Sequence, residues 1–306
     1  MKAKKTTNEY KTFIKQTERA VSFAERFKGK PFAFILALIA LLAFLAFSVF
    51  MREPAAGDIS VHFLNVGQAD AALVVCDGET MLIDGGNRGD SSFLYSYLKK
   101  QGVEHLDYVV ATHAHEDHIG GLPAALKLAT VGTVYCPVTE FDSDVFDDFV
   151  DYVDKAGARI TVPTAGETFS LGNATVRILA VNDGESVNNT SIVLKIECGN
   201  TSFLFTGDAE REVEEIILDR GYNIKSTVLK VGHHGSDSST CYRFLREVMP
   251  EYAIISCGNS NSYGHPHTVT LDRLEDAGAV IHRTDEKGTM VCRVENGDMR
   301  FFFPDK

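Results

Sequence analysis

Ten residues in the first half of the chain concentrate groups that bind metal ions. Residues 112–121 read Thr-His-Ala-His-Glu-Asp-His-Ile-Gly-Gly, which places His113, His115, Asp117 and His118 within six positions. The run before them, Tyr108-Val109-Val110-Ala111, is apolar in the manner of a buried strand, so the cluster falls on the loop where that strand ends. On such a loop His113 and His115 can face one way and Asp117 and His118 another, enough ligands for two adjacent cations. Imidazole and carboxylate suit zinc, manganese or iron better than calcium or magnesium. A histidine-rich surface loop without a ligand is the alternative, and the matching groups further along the chain weigh against it.

Those further groups also come after strand-like runs. Asp208, in Thr206-Gly207-Asp208, comes after the apolar residues 202–205, where a carboxylate can bridge two cations and also cap a helix. His233 and His234 end a strand over 227–231, and adjacent residues leaving an extended strand point to opposite sides, so only one is expected to bind metal. His265 and His267 flank Pro266, which stiffens their loop and holds the rings apart. One of the two is expected to face the cleft, a surface turn being the alternative. Asp84 precedes Gly85-Gly86 and is expected to orient a ligand histidine through its ring N–H, while Gln68 and Asp70 are expected to border the cleft. His62, His105 and His282 read as structural.

The elements that must hold these groups are mostly strands. The pattern predicts strands over 59–66, 69–76, 80–84, 106–111, 159–162, 174–181, 190–198, 201–206, 226–231 and 251–257. Helices are predicted over 91–100, about 120–129, 141–155, 209–220, 240–248 and 268–277, and paired strands over 280–284, 288–295 and 298–303. Strand clusters with intervening helices point to two packed sheets with helices outside.

Thr-His-x-His-x-Asp-His-x-Gly-Gly resembles the signature of the metallo-β-lactamase fold. Four further stretches resemble, more narrowly, the C-terminal hydrolase domain of ComEC-type competence proteins. They are Phe63-Leu64-Asn65-Val66-Gly67-Gln68-Ala69-Asp70, Leu82-Ile83-Asp84-Gly85-Gly86, Leu229-Lys230-Val231-Gly232-His233-His234-Gly235-Ser236 and Tyr263-Gly264-His265-Pro266-His267. The resemblance runs from about residue 59 to about 303 and implies an α/β fold, an αββα sandwich with the metal site along one edge of the sheets. It implies Asp208 as the bridging ligand, with His113 and His115 completing one site and Asp117, His118 and His234 the other. His233 is then a neighbour of the ligands or a substrate contact. Many members of the wider fold place a third histidine on the first ion, whereas this chain has none between His118 and His233. Asn188 and Asn189 stand there instead, beside the ligands, and the first ion is expected to be weakly held, manganese more readily than zinc.

The chain has 306 residues, 44% of them hydrophobic, enough for a sizeable core. Residues 31–50 (PFAFILALIALLAFLAFSVF) carry no charge over twenty positions, the length of a membrane-crossing helix. Residues 1–30 hold nine Lys/Arg against three Glu, a net of +6; this flank is expected to stay cytoplasmic and to place residues 51–306 outside the cell. The expected organisation is a basic tail 1–30, a membrane helix 31–50, a linker 51–58 and a hydrolase domain 59–306. A cleaved signal peptide is the alternative, against which stand the long basic region and the long apolar core. Taking the tail's +6 from the overall −12 leaves −18 for residues 31–306, which argues against broad attraction to nucleic acid. It leaves room for a phosphodiester substrate, since bound cations supply positive charge locally. Six scattered cysteines without a CxxC read as buried thiols.

Together these readings predict a membrane-anchored metallohydrolase with two divalent ions, zinc or manganese, acting on a phosphodiester such as DNA. Catalysis would fall to Asp117, His233, His265 and His267, the last two as contacts to phosphate or donors to a leaving alkoxide. A single apolar span leaves no room for a multi-span channel, so a role in DNA uptake is not expected to carry over. The alternatives are a hydrolase of choline-phosphate or other cell-envelope esters, and a metal-stabilised binding module. No protein partner is inferred.

Overall fold

Strand alternation decides the layers. In β2 (Ala72–Cys76), Ala72, Val74 and Cys76 turn to an inter-sheet core, while Leu73 and Val75 face helices on the other side. In β9 (Val193–Cys198), Leu194, Ile196 and Cys198 meet the same core from the opposite sheet and Val193 faces outward. Both faces of each sheet are covered, which is why these strands read as continuous apolar runs. The computed structural model describes residues 58–305. The basic tail and the apolar segment 31–50, with the anchor expected from them, lie outside those residues. Among the described residues no helix is long and apolar enough to cross a membrane.

One sheet has eight strands, in the order β15 (Asp298–Phe302), β14 (Met290–Glu295), β1 (Ile59–Phe63), β2, β3 (Glu79–Ile83), β4 (His105–Val110), β5 (Thr130–Tyr135) and β6 (Ile160–Thr161). The other has seven: β13 (Val280–Arg283), β12 (Tyr252–Ile255), β11 (Val228–Lys230), β10 (Thr201–Phe205), β9, β8 (Ala174–Ala180) and β7 (Thr168–Leu171). Helices α1 (Ser91–Lys100), α3 (Leu122–Leu128) and α4 (Asp144–Lys155) cover the first sheet, through Leu94, Leu98, Leu126, Phe146 and Phe149. Helices α5 (Arg211–Asp219), α6 (Tyr242–Val248) and α7 (Thr268–Asp276) cover the second, through Val213, Ile217, Phe244 and Leu274. The chain is thus the αββα sandwich. In α4, Phe146, Phe149 and Val153 share one face at helical spacing, aspartates occupy the other, and the Ser143 hydroxyl caps the start by accepting from the Phe146 N–H at 3.1 Å.

Three expectations need correction. β5 and β7 are additional strands; β5 contains Gly132, a weak strand former kept because a Cβ there would lie 2.5 Å from the Asp107 carbonyl oxygen of β4. The segment 280–284 does not pair with 288–295. β13 runs parallel to β12, a short helix α8 (Thr284–Lys287) comes next, and β14 and β15 then return to the first sheet, β14 beside β1. The expected helix over 120–129 is α3, but the loop before it is not irregular throughout: a single helical turn, α2 (Glu116–Ile119), carries Asp117 and His118.

Candidate metal centre

β3 and β4 are parallel, as are β10, β11 and β12, so their C-terminal ends fall together along one edge of the sandwich. Asp84 leaves β3, the histidine loop leaves β4, Asp208 leaves β10 and His233-His234 leave β11. Two loops of the first sheet then interlock. The Gly85 N–H donates to the His118 carbonyl at 2.7 Å and the Gly121 N–H to the Gly86 carbonyl at 2.9 Å. A Cβ on Gly121 would lie 2.1 Å from the Gly85 carbonyl oxygen, so the second glycine of the pair permits this approach. The two sheets are joined at the same place, where the Ile192 N–H donates to the Thr112 carbonyl at 2.8 Å.

The result is a cluster around Asp208. Its carboxylate lies 3.3 Å from His118 Nε2, 3.7 Å from both His233 Nε2 and His234 Nε2, and 3.9 Å from His113 Nε2. His234 Nε2 is also 3.3 Å from Asp117. Three sets of groups among the described residues could each hold an ion: His113, His118 and Asp208; Asp117, His118 and His234; and Asp70, Asp84 and His118. His115 adjoins the first set, its Nδ1 lying 3.0 Å from His113 Nε2.

Behind the ligands stands a scaffold of carboxylates. Asp84 accepts from the Thr112 N–H and hydroxyl, each at 2.8 Å, and from His118 Nδ1 at 2.8 Å, which leaves His118 Nε2 to face the cluster. His234 is fixed by Nδ1, which donates to the Ser256 carbonyl at 3.0 Å. Asp70 lies 3.5 Å from the same nitrogen and pairs at 2.7 Å with the buried ammonium of Lys230. The Asp208 N–H is held by the Ser191 hydroxyl at 3.1 Å. Such outer partners fix ring orientation and tautomer and so set metal affinity.

Do the residues present suit a cation? Among the described residues, the buried polar atoms without a hydrogen-bond partner include His118 Nε2, His234 Nε2 and Asp208 Oδ1. Buried orphans of this kind are costly unless something else satisfies them. The charge balance agrees. Burial pushes Asp208 up, but the imidazoles of His118 and His234 outweigh it and hold the carboxyl well below its usual range. Burial alone would keep His118 neutral, yet Asp208, Asp84 and Asp117 raise it well above the ordinary histidine value. His234 is carried up to about 10 against its burial, by Asp208 and Asp70. Four buried or half-buried carboxylates thus draw protons onto rings that would otherwise be neutral, and divalent cations would serve the same electrostatic need better.

Residues 64–259 match the family described as the metallo-beta-lactamase superfamily. The chain belongs to that superfamily. It is 31% identical over 268 residues to ComE operon protein 3 of Bacillus subtilis, covering 81% of this chain and 34% of that one. It is 29% identical over 247 residues to Competence protein ComA of Neisseria gonorrhoeae, covering 79% and 33%. Recombination protein 2 of Haemophilus influenzae is 31% identical over 235 residues, covering 74% and 28%. The chain therefore spans about a third of the length of these relatives. Among solved structures, the metallo-beta-lactamase fold protein YhfI from Bacillus subtilis aligns at a TM-score of 0.53 and 14% identity, over 77% of this chain and 99% of that one. CmlA, a diiron β-hydroxylase from Streptomyces venezuelae, aligns at 0.52 and 16%, over 79% and 55%. Both likenesses concern the fold. Members of the superfamily are generally metal-dependent hydrolases and often bind two divalent ions.

In this superfamily member the six expected ligands, His113, His115, Asp117, His118, Asp208 and His234, gather at one edge, with Asp84 beneath His118. Gln68, Asn188, His233 and His265 line the cleft above them. Three expectations differ from the structure. His233 and His234 do not point to opposite sides, because both are left-handed (φ 48° and 54°) and the turn aims both rings at Asp208. Asp70 does not border the cleft; it is buried behind His234. Asn189 is not a cleft residue but a brace for α5, accepting from the Glu210 N–H at 2.9 Å and donating to Glu212 at 3.0 Å. His267 also stands back: Nδ1 accepts from the Asp237 N–H at 3.1 Å and Nε2 donates to the Tyr263 carbonyl at 3.2 Å.

Lys230, Thr112 and Ser191 are functional neighbours that the sequence pattern does not single out. For Lys230 a signal existed, a lysine inside an otherwise apolar strand three residues before the histidine pair. The three histidines read as structural are so placed. His62 bonds Tyr97, His105 bonds Thr130, and His282 packs on Tyr252 and Phe301.

Proposed function

We propose that the chain is a metal-dependent phosphodiesterase acting on DNA or another phosphodiester, with two zinc or manganese ions held by the cluster around Asp208. The observation that carries this reading is the cleft of about 570 Å³ over the ligands, lined also by His233 and His265. When bound, divalent ions supply Lewis acidity and acidify a water toward neutral pH. The chain's own residues complete the work. Among the described residues the cleft lining contains no lysine or arginine, so a substrate oxygen beyond the ions has His233, His265 and Asn188 to meet.

The role of His265 rests on its hydrogen bonds. The Gln68 carbonyl oxygen accepts from the Gly258 N–H at 3.0 Å, so the Gln68 amide donates to His265 Nδ1 at 3.4 Å. Nε2 then carries the proton. Burial and the nearby imidazoles of His233 and His267 bring His265 down to about 4, so near neutral pH it is an uncharged N–H donor rather than an imidazolium acid. A donor of that kind can hold a phosphoryl or leaving oxygen as charge develops on it. The ring is 5.5 Å from that of His233, centroid to centroid, so the two imidazoles can share one substrate.

The test offers the purified full chain, with manganese or zinc, bis-p-nitrophenyl phosphate, single- and double-stranded DNA, and a chromogenic cephalosporin. Diester cleavage is expected, lost with a chelator and restored by the metal. His265→Ala should lower kcat/KM on the order of a hundredfold with metal content intact. His267→Ala, whose two nitrogens are already engaged, should stay within severalfold of the parent. Cephalosporin turnover without diester cleavage would sink the reading.

The same reading keeps the catalytic domain outside the cell, on the grounds of the +6 flank before the uncharged twenty residues. A reporter active only in the cytoplasm, fused after residue 306, should be silent. Strong signal from it would reverse the orientation.

A further inference from the structure

Far from the metal centre, two thiols from different sheets touch. Cys76 ends β2 and Cys198 ends β9, both are buried, and their Sγ atoms are 3.8 Å apart. They sit at the other end of the strands from the ligands. Cys76 pairs with Glu79 where β3 begins, while Ile83, next to Asp84, ends that strand. Cys198 pairs with Thr201 where β10 begins, three residues past the far end of which lies Asp208. Both sulfurs use a single acceptor, Asn173 Oδ1, at 3.0 and 3.2 Å. Theirs is the sole hydrogen-bonded thiol pair among the described residues, the other four cysteines being separately buried.

We propose that Cys76 and Cys198 are a redox-active pair that closes into an inter-sheet disulfide when the chain meets a small-molecule or protein disulfide. Three features support it. First, the pair is roofed by three hairpin turns whose tips, Asp77-Gly78, Asn173 and Gly199-Asn200, are exposed, so opening of a turn and not of the core admits an oxidant. Second, the Cys198 thiol beside it lowers the Cys76 thiol below its usual range against burial, which favours Cys76 as the attacking sulfur. Third, the movement needed is short, from 3.8 Å to a bonded separation of about 2 Å.

The exchange balances in two steps. The Cys76 thiolate attacks one sulfur of the oxidant, forming a mixed disulfide and releasing the other sulfur as a thiolate. Cys198, losing its proton to solvent, then attacks the Cys76 sulfur and expels the second thiolate. Two protein thiols become one disulfide and the oxidant's disulfide becomes two thiols. The bond would tie together sheets that share no strand, across 122 positions of chain. The loop it closes in the unfolded chain is long, so the expected stabilisation is large.

The full chain is incubated with excess oxidised glutathione, denatured in iodoacetamide and digested without reduction. The expected product is a peptide linking Cys76 to Cys198, with Cys136, Cys241, Cys257 and Cys292 alkylated. Tm should rise on the order of 10 °C and fall back with dithiothreitol. Cys76→Ser and Cys198→Ser should each abolish both the link and the Tm response. Should either variant fold poorly, the peptide map of the unsubstituted chain decides the matter. Six alkylated thiols after oxidation, a link between any other pair, or Cys76 halted as a glutathione adduct would overturn the proposal.

Discussion

Asp208→Asn should leave the chain with about one bound divalent ion or fewer, and lower diester hydrolysis by about a thousandfold or more. The substitution is nearly isosteric, so the effect isolates charge. The carboxylate is buried within 3.9 Å of four imidazoles, and its Oδ1 has no hydrogen-bond partner. An asparagine would keep the N–H contact to Ser191, a backbone bond, but would offer the cations a neutral oxygen or an amide nitrogen. His118→Ala should also reduce bound metal, because its Nε2, facing Asp208 at 3.3 Å, is a proposed ligand for one of the ions. Asn189→Ala is the control: its side chain braces α5 and meets no ligand, so it should shift stability more than metal content. Metal analysis by mass spectrometry, paired with diester assays, reads all three. Wild-type metal content in Asp208→Asn would show that the cluster is not the metal site.

Much of this arrangement was legible because ligands leave strands. A buried strand announces itself by apolar residues, and the polar group just past it must lie at a sheet edge. That rule located His113, Asp84 and Asp208. It failed at His233 and His234 because it assumes extended backbone, and the left-handed turn there violates the assumption. Non-glycine residues seldom adopt that conformation, and such strain is found where function holds it in place. The rule also failed at β5, where a glycine kept for close approach weakened the strand signal. Asn189 and His267 were misplaced for another reason. A polar residue in the right segment can serve the backbone as well as a substrate, and sequence does not say which way it turns. The reverse held for Lys230, which spacing alone would have assigned to a strand and nothing more.

Lys230→Met should cost about 3–5 kcal/mol of folding stability, the typical penalty for stripping one partner from a buried ion pair. For a domain of this size that is a fall in Tm of roughly 10 °C. The ammonium is buried, pairs with Asp70 at 2.7 Å and donates to the Val231 carbonyl at 3.0 Å. Burial pushes the Asp70 carboxyl up, and Lys230 leads the charges that outweigh it and hold it well below the usual carboxylate range. This fixes the sign of the pH dependence. In the parent, the depressed carboxyl contributes stability above the unfolded value of about 3.9, lost as pH falls toward its folded value. Without Lys230 the folded value rises relative to the parent's, His234 and His118 still opposing burial, so the deficit should be greatest at neutral pH and shrink as Asp70 protonates in acid. Measurements in chelator keep metal binding out of the comparison. Adding Asp70→Leu to Lys230→Met should recover most of the loss, since a buried pair replaced by apolar groups of similar volume is tolerated where a lone charge is not. A double variant no more stable than Lys230→Met would mean that the two charges do not act as a unit. The strand lysine would then be braced by the Val231 carbonyl alone, and Asp70 would be free to serve His234.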